Sequence, residues 1–470
     1  MRFAKRMSRL GTETAFEVLV RAKALEAQGR EIVHLEIGEP DFDTPANIVD
    51  AAAGALRGGA THYVPAAGMP ELRAAIASDA NMRRGLDFSP DSVVVTPGGK
   101  PVMFFAVLAL VDSGDQVIYP NPGFPIYESM IRFVSARPVA IPLREDRDFA
   151  LDVDRLCASV GSKTRLLILN SPHNPTGGVL TRAELERIAD AVRPYPDLIV
   201  LSDEIYSRMI YDGEHTSIAS LPGMRERTIV LDGFSKIYAM TGWRLGYGLF
   251  PDELAAAVTR LMTNSNSCTA AFTQLAGVEA LTGSQAASEA MVAEFKARRD
   301  VIVAGLNQIP GITCRMPHGA FYVFPNITGT GMSSREVADL LLYEAGVATL
   351  AGTSFGAYGE GYIRLSYANS IENLHKALDR IGATLSARVK GAAKAVPAAA
   401  KPAARIQAKV AAAANGASPA VPPGNGKFPA RTRTPGKANS AVSAVGPKAA
   451  ANGKASAAPK SARKPAATRP

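Results

Sequence analysis

The chain has few of the residues that would cross-link it or place it in a membrane. Three cysteines occur in 470 residues, Cys157, Cys268 and Cys314, without the close spacing of metal or redox pairs, so they read as reduced core residues and no metal site is expected. No apolar run reaches the roughly eighteen residues of a membrane span. Met1 to Arg9 carry four basic side chains, but no run of signal-peptide length follows them, and the expected location is the cytoplasm. Acidic residues vanish at one end: from Arg388 onward there are 16 Lys and Arg and no Asp or Glu. Of the 52 basic residues this leaves 36 against all 43 acidic ones, so a formal charge of +9 conceals a body of net charge −7. The basicity that would suggest nucleic-acid binding belongs to the tail alone. Beyond about Lys390 the chain is Ala, Pro, Lys, Gly and Ser with hardly an aromatic residue, too little apolar surface to offset its ordering entropy. Residues 390–470 are therefore expected to be disordered, with weak polyanion binding open to the spaced lysines.

What remains has a globular composition, 47% hydrophobic and 20% charged. Short β-rich runs recur at Ser92 to Thr96, Gln116 to Tyr119, Pro138 to Pro142, Thr164 to Asn170, Asp197 to Ser202, Thr228 to Asp232 and Gly246 to Phe250. Several are apolar at nearly every position, as in strands buried on both faces. Helical segments alternate with many of them, among them Pro101 to Val111 and Thr181 to Val192, the latter with Thr181 as N-cap and Glu184 three residues on. The alternation predicts an α/β fold, a mostly parallel sheet with helices on both sides and function at the carboxyl ends of its strands. Near the end, Ile371, Leu374, Leu378, Ile381 and Leu385 make one helical face.

The chain's only tryptophan lies in its most informative block, Ser235-Lys236-Ile237-Tyr238-Ala239-Met240-Thr241-Gly242-Trp243-Arg244-Leu245-Gly246-Tyr247. A lysine just past an apolar strand can bind an aldehyde, while an arginine eight residues on holds an anion. Thr96-Pro97-Gly98-Gly99-Lys100-Pro101, between a strand and an apolar helix, has the form of an anion-binding turn. Leu198 to Tyr206 ends a strand on Asp203, and Asn170 to Gly178 contains Asn-Pro-Thr-Gly, by itself a β-turn. Pro120 to Tyr127 contains Phe124, and Tyr362 to Tyr367 alternates like a strand with Arg364 opposite Ile363 and Leu365.

In this order and combination, from about Leu10 to Ala387, these motifs resemble the fold-type I pyridoxal-phosphate aminotransferases of the aspartate aminotransferase family. The resemblance implies pyridoxal 5′-phosphate as cofactor, a large domain at 46–284 and a smaller α+β domain assembled from 1–45 and 285–389. It implies Lys236 as the catalytic lysine that holds the cofactor and moves the substrate proton, in a setting where the adjacent cation Arg244 favours its neutral form. It assigns the phosphate to the Gly99–Lys100 turn, Ser235 and Arg244, ring stacking to Phe124, the phenolic oxygen to Asn174 and Tyr206, and the ring nitrogen to Asp203. A carboxylate about 4 Å from that nitrogen is worth roughly 4 kcal/mol at an effective dielectric of about 20, enough to hold the proton at neutral pH. Gly38 and Arg364 would take the substrate carboxylate, and Tyr63 would reach the phosphate of a second subunit, making the enzyme a homodimer.

Two positions depart from the pattern: Phe124 replaces a frequent tryptophan, and Gly233 stands where many relatives carry a phosphate-binding serine. In one branch of the family the lysine matching Lys100 contacts the distal carboxylate of dicarboxylic substrates, yet Ala15 and Glu17 stand where helping hydroxyls are expected, and Glu17 would repel a second carboxylate. The expected reaction moves an amino group from an L-amino acid to a 2-oxo acid by a ping-pong mechanism, with aspartate, alanine and aromatic donors all open. A carbon–sulfur β-lyase is the alternative on the same fold. A DNA-binding regulator would need an added helix-turn-helix domain, for which no segment before Thr44 is long enough.

Overall fold

Every β-rich run named above becomes a strand. The computed structural model of the protein describes residues 1–393. It opens with α1 (Thr14–Glu26), β1 (Val33–His34), α2 (Ala46–Arg57) and α3 (Pro70–Arg84). The central stretch follows as β2 (Val93–Thr96), α4 (Lys100–Leu110), β3 (Gln116–Asn121), α5 (Pro125–Phe133), β4 (Arg137–Arg144), β5 (Ala150–Leu151) and α6 (Val153–Ser159). It continues through β6 (Thr164–Asn170), α7 (Arg182–Val192), β7 (Ile199–Asp203), β8 (Thr228–Gly233), β9 (Gly246–Leu249), α8 (Asp252–Ser265) and α9 (Ala271–Thr282). The chain then runs through α10 (Ala286–Leu306), β10 (Tyr322–Val323), α11 (Ser334–Leu340), β11 (Val347–Ala348), β12 (Leu350–Ala351), β13 (Ile363–Ser366) and α12 (Ile371–Ala393).

Eight strands form one sheet in the order β2-β9-β8-β7-β6-β3-β4-β5. The pairings β8–β7, β7–β6, β6–β3 and β3–β4 are parallel, while β9 runs antiparallel to both neighbours and β5 folds back on β4. Successive side chains leave opposite faces of a strand, and both faces here are apolar and covered. Leu166, Ile168 and Leu201 pack with Val102, Ala106 and Met130 of α4 and α5. Leu167, Leu169 and Val200 pack with Leu156, Leu185 and Ile188 of α6 and α7. This is why the strands read as nearly unbroken apolar runs. Capping is as the sequence predicts at α7, where Thr181 Oγ1 accepts from the Glu184 backbone N–H at 3.3 Å and Glu184 accepts from that of Thr181 at 2.8 Å.

The two ends of the described chain meet. β1 pairs in parallel with β11, Val33 opposite Val347, and the Ser366 amide donates to the Leu35 carbonyl at 2.8 Å. A three-stranded antiparallel sheet, β10-β13-β12, sits beside them, and α12 packs on α10. The long amphipathic face seen in the sequence is buried through Leu374, Leu378, Ile381 and Leu385, and α12 continues beyond it to Ala393. The expected disordered tail otherwise lies outside the described residues.

Candidate active site

The carboxyl ends of β7, β8 and β6 bring three of the expected residues together. β7 ends on Asp203, which is 7% exposed and enclosed in the sheet. The Tyr127 hydroxyl donates to its Oδ2 at 2.5 Å and the Ile205 amide to its Oδ1 at 3.3 Å. No cation pairs with it among the described residues, and burial pushes its carboxyl up to about 6, further raised by Asp232 and Glu204 and opposed by those two hydrogen bonds. From β6 comes Asn170, whose amide donates to the Asp203 carbonyl at 3.0 Å while its Oδ1 accepts from the Asn174 backbone at 2.9 Å. Asn174 is thereby fixed with its own Oδ1 3.4 Å from Arg364 Nη1.

Lys236 follows β8 on a loop whose Phe234 and Tyr238 rings stack with centroids 5.8 Å apart. Trp243 Nε1 donates to Thr44 Oγ1 at 2.9 Å, and that hydroxyl donates to the Ala239 carbonyl at 2.7 Å, tying the lysine loop to the amino-terminal segment. The Lys236 ammonium has no carboxylate partner among the described residues and donates to the Gly38 carbonyl at 2.6 Å. Burial brings its pKa down to about 8; Arg364 and Lys100 lower it further, and Glu39 and Glu13 oppose them. Arg364 and Lys100 are thus the foremost cations acting on the amine, while Arg244, to which the sequence pointed, gives its guanidinium to the Thr241 and Pro97 carbonyls.

Arg364 lies in β13, whose four residues are all buried. Its Nη2 donates to the Glu36 carbonyl, its guanidinium carbon sits 4.6 Å from the Tyr322 ring centroid and 5.0 Å from that of Phe355, and its Nε has no partner among the described residues. Burial lowers its pKa from the ordinary arginine value. Tyr206 is buried with its hydroxyl 2.7 Å from that of Tyr322, and its ring centroid lies 5.9 Å from Lys236 Nζ.

At the amino end of α4, the Thr96 hydroxyl donates to the Gly98 carbonyl at 2.7 Å and fixes a turn in which Gly98 has φ +89°. A side chain there would be strained and would run into the Arg244 guanidinium. Arg244 donates to the Thr241 carbonyl at 2.8 Å and is exposed. Gly99 stands as the N-cap, leaving the first amides of α4 beside a cation, an arrangement suited to phosphate. Ser235 is buried next to Lys236, and Phe124 caps α5 half-buried, 5.6 Å from Lys100 Nζ. Tyr63 stands apart, 89% exposed.

Some contributors were missed. Tyr322, in an aromatic run that reads as core, carries a hydroxyl that contacts Tyr206, and a side chain at Gly38 would collide with it. Tyr127 lies three residues beyond Phe124, and nothing local marks the hydroxyl that it gives to Asp203. Glu13, and not Glu17, meets Lys100; Glu17 is exposed. Only tertiary proximity distinguishes these from their bland neighbours. His173, next to Asn174, is buried with Nε2 unpartnered among the described residues, and burial holds its pKa down at about 3. It stays neutral beside the site.

A buried carboxylate without a cation, a buried amine without an anion, and a glycine turn beside an arginine fit a group that carries a ring cation, an aldehyde and a phosphate. Comparison with known proteins agrees. Residues 30–381 match the family model of aminotransferase class I and II. The chain is 42% identical over 368 residues to an aspartate aminotransferase of Pyrococcus horikoshii, covering 78% of this chain and 92% of that one. It is 42% identical over 360 residues to aromatic-amino-acid aminotransferase 2 of Thermococcus litoralis, covering 76% and 92%. The solved alanine aminotransferase of Pyrococcus furiosus superposes with a TM-score of 0.78 at 34% identity, over 82% of this chain and 100% of that one. The chain belongs to the class I and II aminotransferases, pyridoxal-phosphate-dependent transferases of nitrogenous groups with the fold-type I architecture.

Proposed function

We propose that the protein moves the amino group of an L-amino acid to a 2-oxo acid by a ping-pong mechanism, with Lys236 as its catalytic residue. The observation that carries this reading is the set of three buried charges, Lys236, Asp203 and Arg364, that have no ion-pair partner among the described residues: Tyr206 and Tyr322 join Lys236 to Arg364, and Asn174 leads from Arg364 through Asn170 to the Asp203 backbone. Pyridoxal phosphate, when bound, supplies an aldehyde that condenses with amino groups and a ring that draws electrons from the substrate's Cα. Asp203 holds the proton on the ring nitrogen. Gly99, Lys100, Ser235 and Arg244 hold the phosphate through backbone amides, hydroxyl and guanidinium. Asn174 and Tyr206 would hold the phenolic oxygen, and Phe124 would pack against the ring.

Arg364 binds the donor's α-carboxylate, helped by the backbone at Gly38. Its planar fork is held by the Glu36 carbonyl and Asn174, so little motion is needed on binding. Lys236, with a pKa of about 8, is partly neutral at physiological pH; as base it takes the proton from the donor's Cα in one half-reaction, and as acid it gives a proton to the acceptor's Cα in the other. Tyr322 orients the Tyr206 hydroxyl.

The reading extends to assembly. Residues 46–284 serve as the cofactor-binding domain and 1–45 with 285–389 as the small domain. Tyr63, exposed within one chain, reaches the phosphate of a partner, so the active form is a homodimer with an interface of about 2,000 Å² or more. Among the described residues no helix is long and apolar enough to cross a membrane. The same proposal includes a cytoplasmic location.

The test is a half-reaction. Holoenzyme given a single amino acid and no 2-oxo acid should release about one oxo acid per subunit and stop, with a matching change in cofactor absorption. Ammonia accumulating over many turnovers would replace this reading with β-elimination.

A further inference from the structure

Three cations belong to this site, and they differ in what already faces them. Among the described residues Arg364 contacts only neutral groups, the Asn174 side-chain oxygen, the Glu36 backbone carbonyl and two aromatic rings, with the Glu36 carboxylate acting on it without an ion pair. Arg244 gives its guanidinium to the backbone carbonyls of Thr241 and Pro97. Lys100 alone of the three is paired with a carboxylate among the described residues, that of Glu13. Both partners act on the reacting groups: the Lys100 charge lowers and the Glu13 charge raises the Lys236 pKa, and Glu13 also bears on Arg364 and Tyr322.

Glu13 is also well anchored. It immediately precedes α1, which buries Val18, Ala22 and Leu25 in a cluster with Phe149, Phe324, Leu350 and Phe355, and Arg21 of α1 pairs with Asp339 at 2.7 Å. Two residues before Glu13, the Gly11 amide donates to Ser129 Oγ at 2.9 Å. The carboxylate is thus pinned from both sides, with its side chain 17% exposed against 47% for Lys100.

We propose that Glu13 sets the substrate class: by occupying Lys100 it leaves Arg364 as the one acceptor for a substrate carboxylate, so the enzyme prefers monocarboxylic amino acids with uncharged side chains over aspartate and glutamate. The inference rests on the aminotransferase reading above and narrows it. An acidic side chain arriving at Lys100 must either displace Glu13, leaving a largely covered carboxylate without its cation, or lie beside it as a second anion. Both are unfavourable. An uncharged side chain meets neither cost and finds the Phe124 ring and the methylene stem of Lys100, whose Nζ is 5.6 Å from that ring's centroid.

The experiment compares kcat/KM for aspartate and for phenylalanine as donors, with one 2-oxo acid as acceptor, using full-length holoenzyme. The parent should favour phenylalanine. Glu13→Gln should raise the aspartate-to-phenylalanine ratio about tenfold or more, and less at high salt. The double variant Glu13→Gln with Lys100→Met should lose that gain. Lys100→Met alone, which does not depend on α1 seating correctly, leaves Glu13 as an unpaired anion and should lower the ratio below the parent's by about tenfold. A parent that favours aspartate, or a ratio that Glu13→Gln leaves unchanged or lowers, overturns the assignment. A holoenzyme that forms no oxo acid from either donor or any other overturns the aminotransferase reading itself and this inference with it, a result distinct from any change of ratio.

Discussion

Asp203 and Glu204 are neighbours at one strand end, yet their carboxylates face two regions of opposite design. On the cleft side Asp203 has hydrogen bonds but no cation, and burial raises its pKa to about 6. Behind the sheet Glu204, just as deeply buried, accepts from Ser202 at 2.8 Å, Ser217 at 2.6 Å and His215 Nε2 at 2.9 Å, and lies 3.3 Å from Arg84 Nε. Burial would raise its pKa, but His215, Arg84 and Ser217 outweigh it and hold the carboxyl at about 2. Arg84 also pairs with Asp232, and its own pKa is raised by these carboxylates against the pull of burial. Among the described residues the rear cluster pairs its carboxylates with Arg84, while the cleft gives Asp203, Lys236 and Arg364 no ion-pair partner. A buried charge that is paired holds a fold in register, while one that is unpaired is costly unless a ligand supplies the counter-charge.

That contrast can be broken by experiment, and the largest effect falls on the cleft. Lys236→Ala should bind the cofactor non-covalently and lose turnover by several orders of magnitude, measured as single-turnover oxo-acid release. Near-normal activity would remove the distinction between the two regions. Behind the sheet, Arg84→Met should cost about 3–5 kcal/mol of stability, since it strands two buried carboxylates, and denaturant midpoints of the cofactor-free protein would report it. Asp203→Asn should do the reverse of Arg84→Met, sparing the fold while lowering kcat by about 10²-fold, because it removes a charge that only the bound ring uses.

The smallest effect is the most diagnostic, because the two neighbours should respond to pH with opposite sign. In the cofactor-free protein Asp203 holds a proton that the unfolded chain, with a carboxyl near about 4, has released. Its contribution to stability is complete below about pH 4 and is lost as pH rises through about 6, up to about 3 kcal/mol in all. Glu204 contributes fully above about pH 4.5 and loses its share as pH falls towards 2. Urea unfolding at pH 5 and pH 7 should therefore show the parent losing stability relative to Asp203→Asn as pH rises. A difference that stays flat between the two would mean that Asp203 is compensated after all.

Much of the rear cluster was invisible in the sequence. Arg84 ends α3 in a stretch of polar residues and reads as a solvated helix end, and Glu204 looks like an ordinary residue after a strand. Their pairing spans residues 84, 204, 215 and 232, a separation that no local pattern encodes. The cleft was more legible because each motif couples an unusual residue to a turn of required shape. Lys236 follows the end of a buried strand, Gly98 needs a positive φ, and Asn174 sits in a turn set by Asn170. Where the local signal was charge alone, it was incomplete: Glu17 looked like the anion that would repel a second carboxylate, whereas Glu13 is the one that meets Lys100, and beside Arg244 the sequence did not single out Arg364 as a cation acting on Lys236.

The sequence by itself determined the strands and helices, since their apolar runs and caps are local, and it determined the family, since the motifs recur in a fixed order. It also fixed that the described body is acidic and the tail basic. Only the tertiary structure decided which charges are paired. Electrostatic energy depends on distances of a few ångströms and on exclusion of water, and both are products of packing rather than of spacing along the chain. The same reason separates Glu13 from Glu17, four residues apart on one segment: packing turns one of them onto Lys100 and the other to solvent.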